Sequence, residues 1–399
     1  MHRGAFLAGA GALALGGARG RASSSAWPPM EVRANRPLVN LVLRGPGGAA
    51  RGVLGYIDTG GGDLVVTRAV ARALGAAPVG LPVGSGDGST QALAPLRLEV
   101  GSTEIYVPSG SAAMLVADVP VVEPGLSVQA AFPARLLRGH RIVFDYSAHR
   151  FGIDEAAPGG VDVPVRIDAR YGFPRVEIAI GDERYGMLVD TGASCTMLSQ
   201  AAIDRLKATH PQWRSVEGAY DSANMIGGAL EAHAEMLRVG EMSIGGIALQ
   251  DVVAVSRPIG TFERWMSQMT AAPVAGSLGG NVLRNFSMVL DYRTGALTLA
   301  LHNDPVAHQF EIVPVTLTPG FDGGYTIAAA LPGAAFSMPR AALAGARLLA
   351  VDGTGVDGAS LARVHELLRG VPGTHKRLQI AEARGCVRRD ILAPVVRLF

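Results

Sequence analysis

Cysteine is nearly missing from this chain: its 399 residues include only two, Cys195 and Cys386. That excludes a disulfide framework and any zinc site built on several thiolates. The two cysteines fall in separate parts of the chain, so each reads as a thiol packed like a small hydrophobe. Cys195 follows an acid closely but has no nearby histidine to make a thiolate, so it does not read as a nucleophile. The nine histidines show no His-Glu-x-x-His and no paired spacing, so no metal and no cofactor are expected. The formal net charge is only +2, and the arginines are scattered rather than striped. That charge is too small to argue for nucleic acid or an anionic membrane surface, and no nucleic acid partner is expected. No apolar run reaches the roughly 18 residues of a membrane span, so no transmembrane segment is expected.

What is present is a packed, β-leaning chain. Hydrophobic residues make up 48%, charged residues 18% and aromatics 6%, and 52 glycines signal many turns. Residues 1–26 stand apart. His2 and Arg3 precede an apolar stretch from Ala5 to Gly17, and a serine-rich exit ends at Ala26. This is the pattern of a signal peptide, so the mature protein is expected to be exported, periplasmic or secreted. Gly4 stands where a twin-arginine leader has its second arginine, which leaves the Sec route open. No cysteine follows the apolar stretch, so a lipoprotein anchor is excluded.

The main feature is an internal repeat. Met187-Leu188-Val189 delivers Asp190, then Thr191, Gly192, Ala193 and Ser194 follow before a second apolar pair, Met197-Leu198. Earlier, Tyr56-Ile57 delivers Asp58, Thr59 and Gly60 before Leu64-Val65-Val66. Each reads as a strand, a tight turn carrying the acid, and a strand leading away. A short helix is expected after each, over 69–74 and 200–207. Glycine-rich hairpin tips follow near Gly84-Ser85-Gly86 and near Ile226-Gly227-Gly228. The first of these lacks the following lysine and helix of a phosphate-binding loop. Each half closes alike, with Asp145-Tyr146 and Asp291-Tyr292.

The chemistry follows from the pairing. If the halves pack about a pseudo-two-fold axis, Asp58 and Asp190 meet on it. Two touching carboxyls resist double ionisation and share one proton. The ionised one takes a proton from water and the protonated one donates to a carbonyl, which is general acid–base peptide hydrolysis. Threonine supplies a hydroxyl that reaches the partner loop, and glycine lets a backbone N–H approach the carboxylate.

Residues 33–302 resemble the bacterial retropepsin-like and pepsin-like aspartyl proteases. The resemblance implies a mainly β, two-lobed acid protease fold, with lobes at 33–155 and 160–302. It implies Asp58 and Asp190 as the catalytic pair, supported by Thr59, Gly60, Thr191, Gly192 and Ser194. It also implies the hairpin tips as flaps, and a peptide or protein substrate. The second lobe matches throughout, including Ser277-Leu278-Gly279. The first departs: Gly61-Gly62 replace the usual Ala/Ser-Ser, and Phe132-Pro133 fall where Leu278-Gly279 sit. Those departures motivate an alternative, an envelope or peptide-binding protein that keeps the fold without cutting.

The last part of the chain, 320–399, resembles a bacterial PDZ domain. The matches are Val351-Asp352-Gly353, a helix over 360–369 ending Leu367-Leu368-Arg369-Gly370, and Pro372-Gly373-Thr374. The resemblance implies a small α+β domain that adds a peptide as a strand at a sheet edge formed by 321–327. Gly323, Gly324, Tyr325 and Thr326 would hold that peptide.

Overall fold

The computed structural model describes residues 27–399 except 84–89, 109–112, 117–122, 124–125, 157, 220–232, 304, 306–309, 321, 333 and 383–386. The stretch expected as a signal peptide, both hairpin tips expected as flaps, and Cys386 lie outside the described residues. The described chain is mainly β. No helix among the described residues is long and apolar enough to cross a membrane.

Both acid-bearing segments are built to one plan. In the first half, strand Ala50–Asp58 runs parallel to Ala130–Pro133, with Pro133 opposite Asp58. Ala130–Pro133 pairs antiparallel with Leu64–Thr67, which runs parallel to Ala113–Val116. In the second half, Glu183–Val189 runs parallel to Gly276–Leu278, with Leu278 opposite Val189. Gly276–Leu278 pairs antiparallel with Thr196–Ser199, which runs parallel to Ile247–Arg257. The helices follow suit. Arg68–Ala73 starts at Thr67 and Gln200–Thr209 at Ser199, each cap hydroxyl accepting a backbone N–H three residues on.

The strands pair this way because apolar residues alternate toward a shared interior. Ile57, Leu64, Val66 and Phe132 are fully buried in the first half, and Met187, Val189, Leu198 and Leu278 in the second. These eight residues belong to one core that runs through both halves.

The halves also share a sheet. Arg141–Asp145 and Arg150–Ile153, expected with the first lobe, hydrogen-bond into the sheet of the second. Arg141–Asp145 lies antiparallel to Phe286–Asp291. The first half opens on a hairpin, Met30–Arg33 and Arg36–Arg44. Its two-residue turn places both Ala34 and Asn35 at positive φ, the geometry of a type I′ turn.

The C-terminal part forms its own sheet. Its order is Val315–Pro319, Tyr325–Ala330, Arg347–Val351, His375–Ala381, Arg388–Pro394, with helix Leu361–Leu368 capped by Ser360. This corrects two expectations. The sheet starts before residue 320, because 315–319 belongs to it. The segment expected as an open edge, carrying Tyr325 and Thr326, is an inner strand. Its Tyr325 pairs with Pro319 on one side and Leu348 on the other. Tyr325 is fully buried, with its hydroxyl donating to the Ala359 carbonyl, and the Gly324 N–H donates to Asp322. The physical reason is local: the Gly320 N–H donates to the Gly324 carbonyl, and Val315–Pro319 pairs back along the strand.

One buried acid joins the first half to the C-terminal part. Glu123 pairs with Arg33 at 2.6 Å, and its other oxygen accepts the N–H groups of Ala34 and Leu361 at 3.3 Å each. It therefore ties the N-terminal hairpin to the first turn of helix Leu361–Leu368.

Candidate active site

Asp58 ends one strand and Asp190 immediately follows the other. The threonine beside each reaches across the axis. The Thr59 hydroxyl donates to the Val189 carbonyl at 2.5 Å, and the Thr191 hydroxyl donates to the Ile57 carbonyl at 2.7 Å. Each hydroxyl also accepts the other threonine's backbone N–H, at 3.0 and 3.1 Å. Both threonines are fully buried. Four hydrogen bonds in a dry interior therefore lock the two turns face to face.

That lock brings the two carboxyls together, each lying against the glycine of the other turn. The glycines permit the approach. A Cβ on Gly60 would sit 2.5 Å from Asp190 Oδ1, and one on Gly192 would sit 2.4 Å from Asp58 Oδ1. Each carboxylate also accepts N–H groups from its own turn, Asp58 from Gly60 and Asp190 from Gly192 and Ala193.

The electrostatics are those of a pair. Desolvation pushes the pKa of Asp58 well above the usual carboxylate range, and the Asp190 charge adds to it. The Gly60 N–H, Arg36 and the Gly61 N–H pull it back. Desolvation raises Asp190 as well, opposed by the N–H groups of Ala193 and Gly192, by Arg36, and by the neighbouring Asp58.

Ser194 is buried in the second turn, its carbonyl accepting from Asn35 Nδ2 at 2.9 Å and from the Asn281 N–H at 3.0 Å. The first-lobe departures are accommodated locally. In lobe two the Gly279 N–H donates to the Thr196 hydroxyl at 3.2 Å. At the matching places lobe one has Pro133, which lacks the N–H, and buried Leu64, which lacks the hydroxyl. Donor and acceptor are absent together, so no buried group is left unpaired. Gly61 occupies the place of Ala193, and a Cβ there would lie 2.7 Å from Asp58 Oδ2. Glycine at this position is a fit to the turn.

Sequence reasoning missed Arg36. It is buried, and its Nε donates to the Gly192 carbonyl at 2.6 Å. Its neighbour Asn35 accepts from Arg284 and donates to Ser194 O, so the N-terminal turn clasps the Asp190 loop. An isolated arginine before a proline carries little local signal. The Ala34-Asn35 turn that aims it is unusual, because alanine rarely takes positive φ.

Comparison with known proteins bears on this site. Residues 176–282 match the family model for aspartyl proteases. This segment holds the Asp190 turn and the Gly276–Leu278 strand beside it. Among solved structures, the chain is similar to the crystal structure of aspartic proteinase from Irpex lacteus, at 14% identity and a TM-score of 0.41. That match covers 70% of this chain and 98% of the other. No curated protein matches.

Proposed function

We propose that this chain is an aspartic-type endopeptidase that hydrolyses peptide bonds through water activated by Asp58 and Asp190, acting after export. The observation that carries the reading is the reciprocal threonine lock, which sets the carboxyls of Asp58 and Asp190 each against the glycine of the other turn. A structural aspartate in a turn needs neither a second acid nor a cross-lobe brace. The family match over 176–282 supports the same reading.

The step balances with these two groups alone. The ionised carboxylate takes a proton from water as the water oxygen bonds to the peptide carbonyl carbon. The protonated carboxyl gives its proton to the carbonyl oxygen, leaving a neutral gem-diol. The carboxyl that gained the water proton then passes it to the leaving nitrogen as the C–N bond breaks. One diol hydroxyl returns its proton to the other carboxylate, which restores the pair. The raised pKa of both groups suits them to hold and move one proton between them.

The test is cleavage of denatured casein by the purified protein and by Asp58→Asn and Asp190→Asn. Each substitution is expected to abolish cleavage while the protein still melts cooperatively. Equal cleavage by wild type and either variant overturns the reading.

A further inference from the structure

We propose that Arg36 is a positioning residue that makes the two carboxyls unequal: it holds Asp190 as the ionised member, which takes the proton of water, and leaves Asp58 as the protonated member. The inference rests on the dyad reading above and assigns the two roles that reading leaves open.

The repeat itself supplies the comparison. In the first half Leu38 lies opposite Tyr56, so two residues further along the ladder Arg36 comes level with Asp58. In the second half Arg175 lies opposite Leu188, so by the same step Phe173 comes level with Asp190. Arg36 and Phe173 therefore hold the same place in the two halves, each just before a proline. Each crosses to the other half's acid turn. Arg36 donates to the carbonyl of Gly192, two residues after Asp190. Phe173, also buried, packs on the Asp58 turn, its Cζ 3.6 Å from where Gly62 would carry a Cβ. One acid turn is met by a buried cation and the other by an apolar ring. A cation stabilises a neighbouring carboxylate, and an apolar ring withholds solvation from one.

The remaining ionisable groups near the pair do not cancel this. Tyr56 and Tyr292 are buried phenols whose pKa values burial raises, so both stay neutral. Asp63, beyond the Asp58 turn, is paired with Arg135 at 2.7 Å. Asp190 also accepts from two N–H groups of its own turn at hydrogen-bond distance. These contacts of Asp190 favour its charge, against the burial that raises both acids.

The deciding measurement needs no catalysis. Thermal melts of Asp58→Asn and Asp190→Asn are followed across pH, each variant keeping one acid of the pair. A carboxyl with a raised folded-state pKa loses its stabilising effect as pH rises through that value. The drop in Tm is expected at lower pH in Asp58→Asn, where Asp190 remains, by about one pH unit or more. Adding Arg36→Gln to Asp58→Asn, which keeps an N–H donor but removes the charge, should move that drop upward by a similar amount. Adding Arg36→Lys should leave it in place. Coincident drops in the two single variants overturn the assignment, as does an Arg36→Gln addition that leaves the profile unmoved. If Arg36→Gln does not fold, the two single variants still decide. In the otherwise unchanged protein, Arg36→Gln should move the acidic limb of casein cleavage to higher pH, and Arg36→Lys should restore it. A protein that never cleaves casein refutes the peptidase reading, yet leaves the melts to judge the unequal pair.

Discussion

Replacing Gly192 with alanine puts a methyl carbon into space that the Asp58 carboxyl fills. The new Cβ would lie 2.4 Å from Asp58 Oδ1 and 2.5 Å from its Cγ. Protein Cβ atoms essentially never come within 3.0 Å of another heavy atom, so the turn and the carboxyl must part by at least about 0.6 Å. Neither side yields easily. Thr191 is pinned by its bonds to Ile57 and Thr59, and Asp58 is held by the Gly60 N–H. Overpacking of this kind costs about 1–3 kcal/mol. Because the parting falls between the two acids, the loss of rate is larger than the loss of stability suggests. A displacement approaching 1 Å in a reacting constellation costs about 100-fold. The assay is kcat/KM on denatured casein beside a thermal melt. Gly47→Ala is the control, since a Cβ there meets nothing within 4 Å. A Gly192→Ala protein within about twofold of wild type in kcat/KM would refute the claim that the carboxyls meet at this spacing.

Three further outcomes are expected. Both acids have folded-state pKa values above their unfolded ones, so the pair's contribution is complete below about pH 4 and is lost as pH rises through the raised values. Subtracting the melts of the Asp58→Asn/Asp190→Asn double variant from those of wild type should isolate that loss, and a flat difference would contradict it. Thr191→Val keeps the shape but strands the buried Ile57 carbonyl and Thr59 N–H, at about 1–3 kcal/mol each, read by urea unfolding. Glu123→Ala strands Arg33 and the Leu361 N–H. It should cost about 1–3 kcal/mol and speed proteolysis between the protease-like part and the C-terminal sheet, with the core of the acid turns unchanged.

The parts of the fold that could be read from the sequence were those carried by local pattern. Each acid announces itself by apolar residues before it and small ones after, and the repeat appears because both copies keep that order. The parts that could not be read depend on what folds back onto what. Arg36 lies beside a turn built on Ala34 and Asn35, neither of them glycine, so the stretch reads as one strand. Glu123 is a single acid in a loop, and its three partners come from residues 33, 34 and 361. Tyr325 and Thr326 have the composition of an edge strand. Whether that edge is open depends on Val315–Pro319, whose residues carry no signal of where they will pair. The Gly61-Gly62 and Pro133 departures read as losses in a list of residues, but in the structure each meets a neighbour shaped to it.

The shared seam between the halves has a consequence for how the chain can be divided. Ile142 pairs with Leu290 and Phe144 with Met288, and Val143 sits opposite Val289. Because Ile142 and Met288 are matching positions of the repeat, this ladder reads the same from either side. A fragment cut at the expected boundary, residues 160–302, would expose Phe286–Asp291 as a bare, apolar edge, which is a template for another chain. A second copy of that strand fits the register, Met288 against Leu290 and Val289 against Val289. The second half alone is therefore a self-complementary unit. Joining the two halves in one polypeptide fills that edge from within and frees the two acid turns to differ.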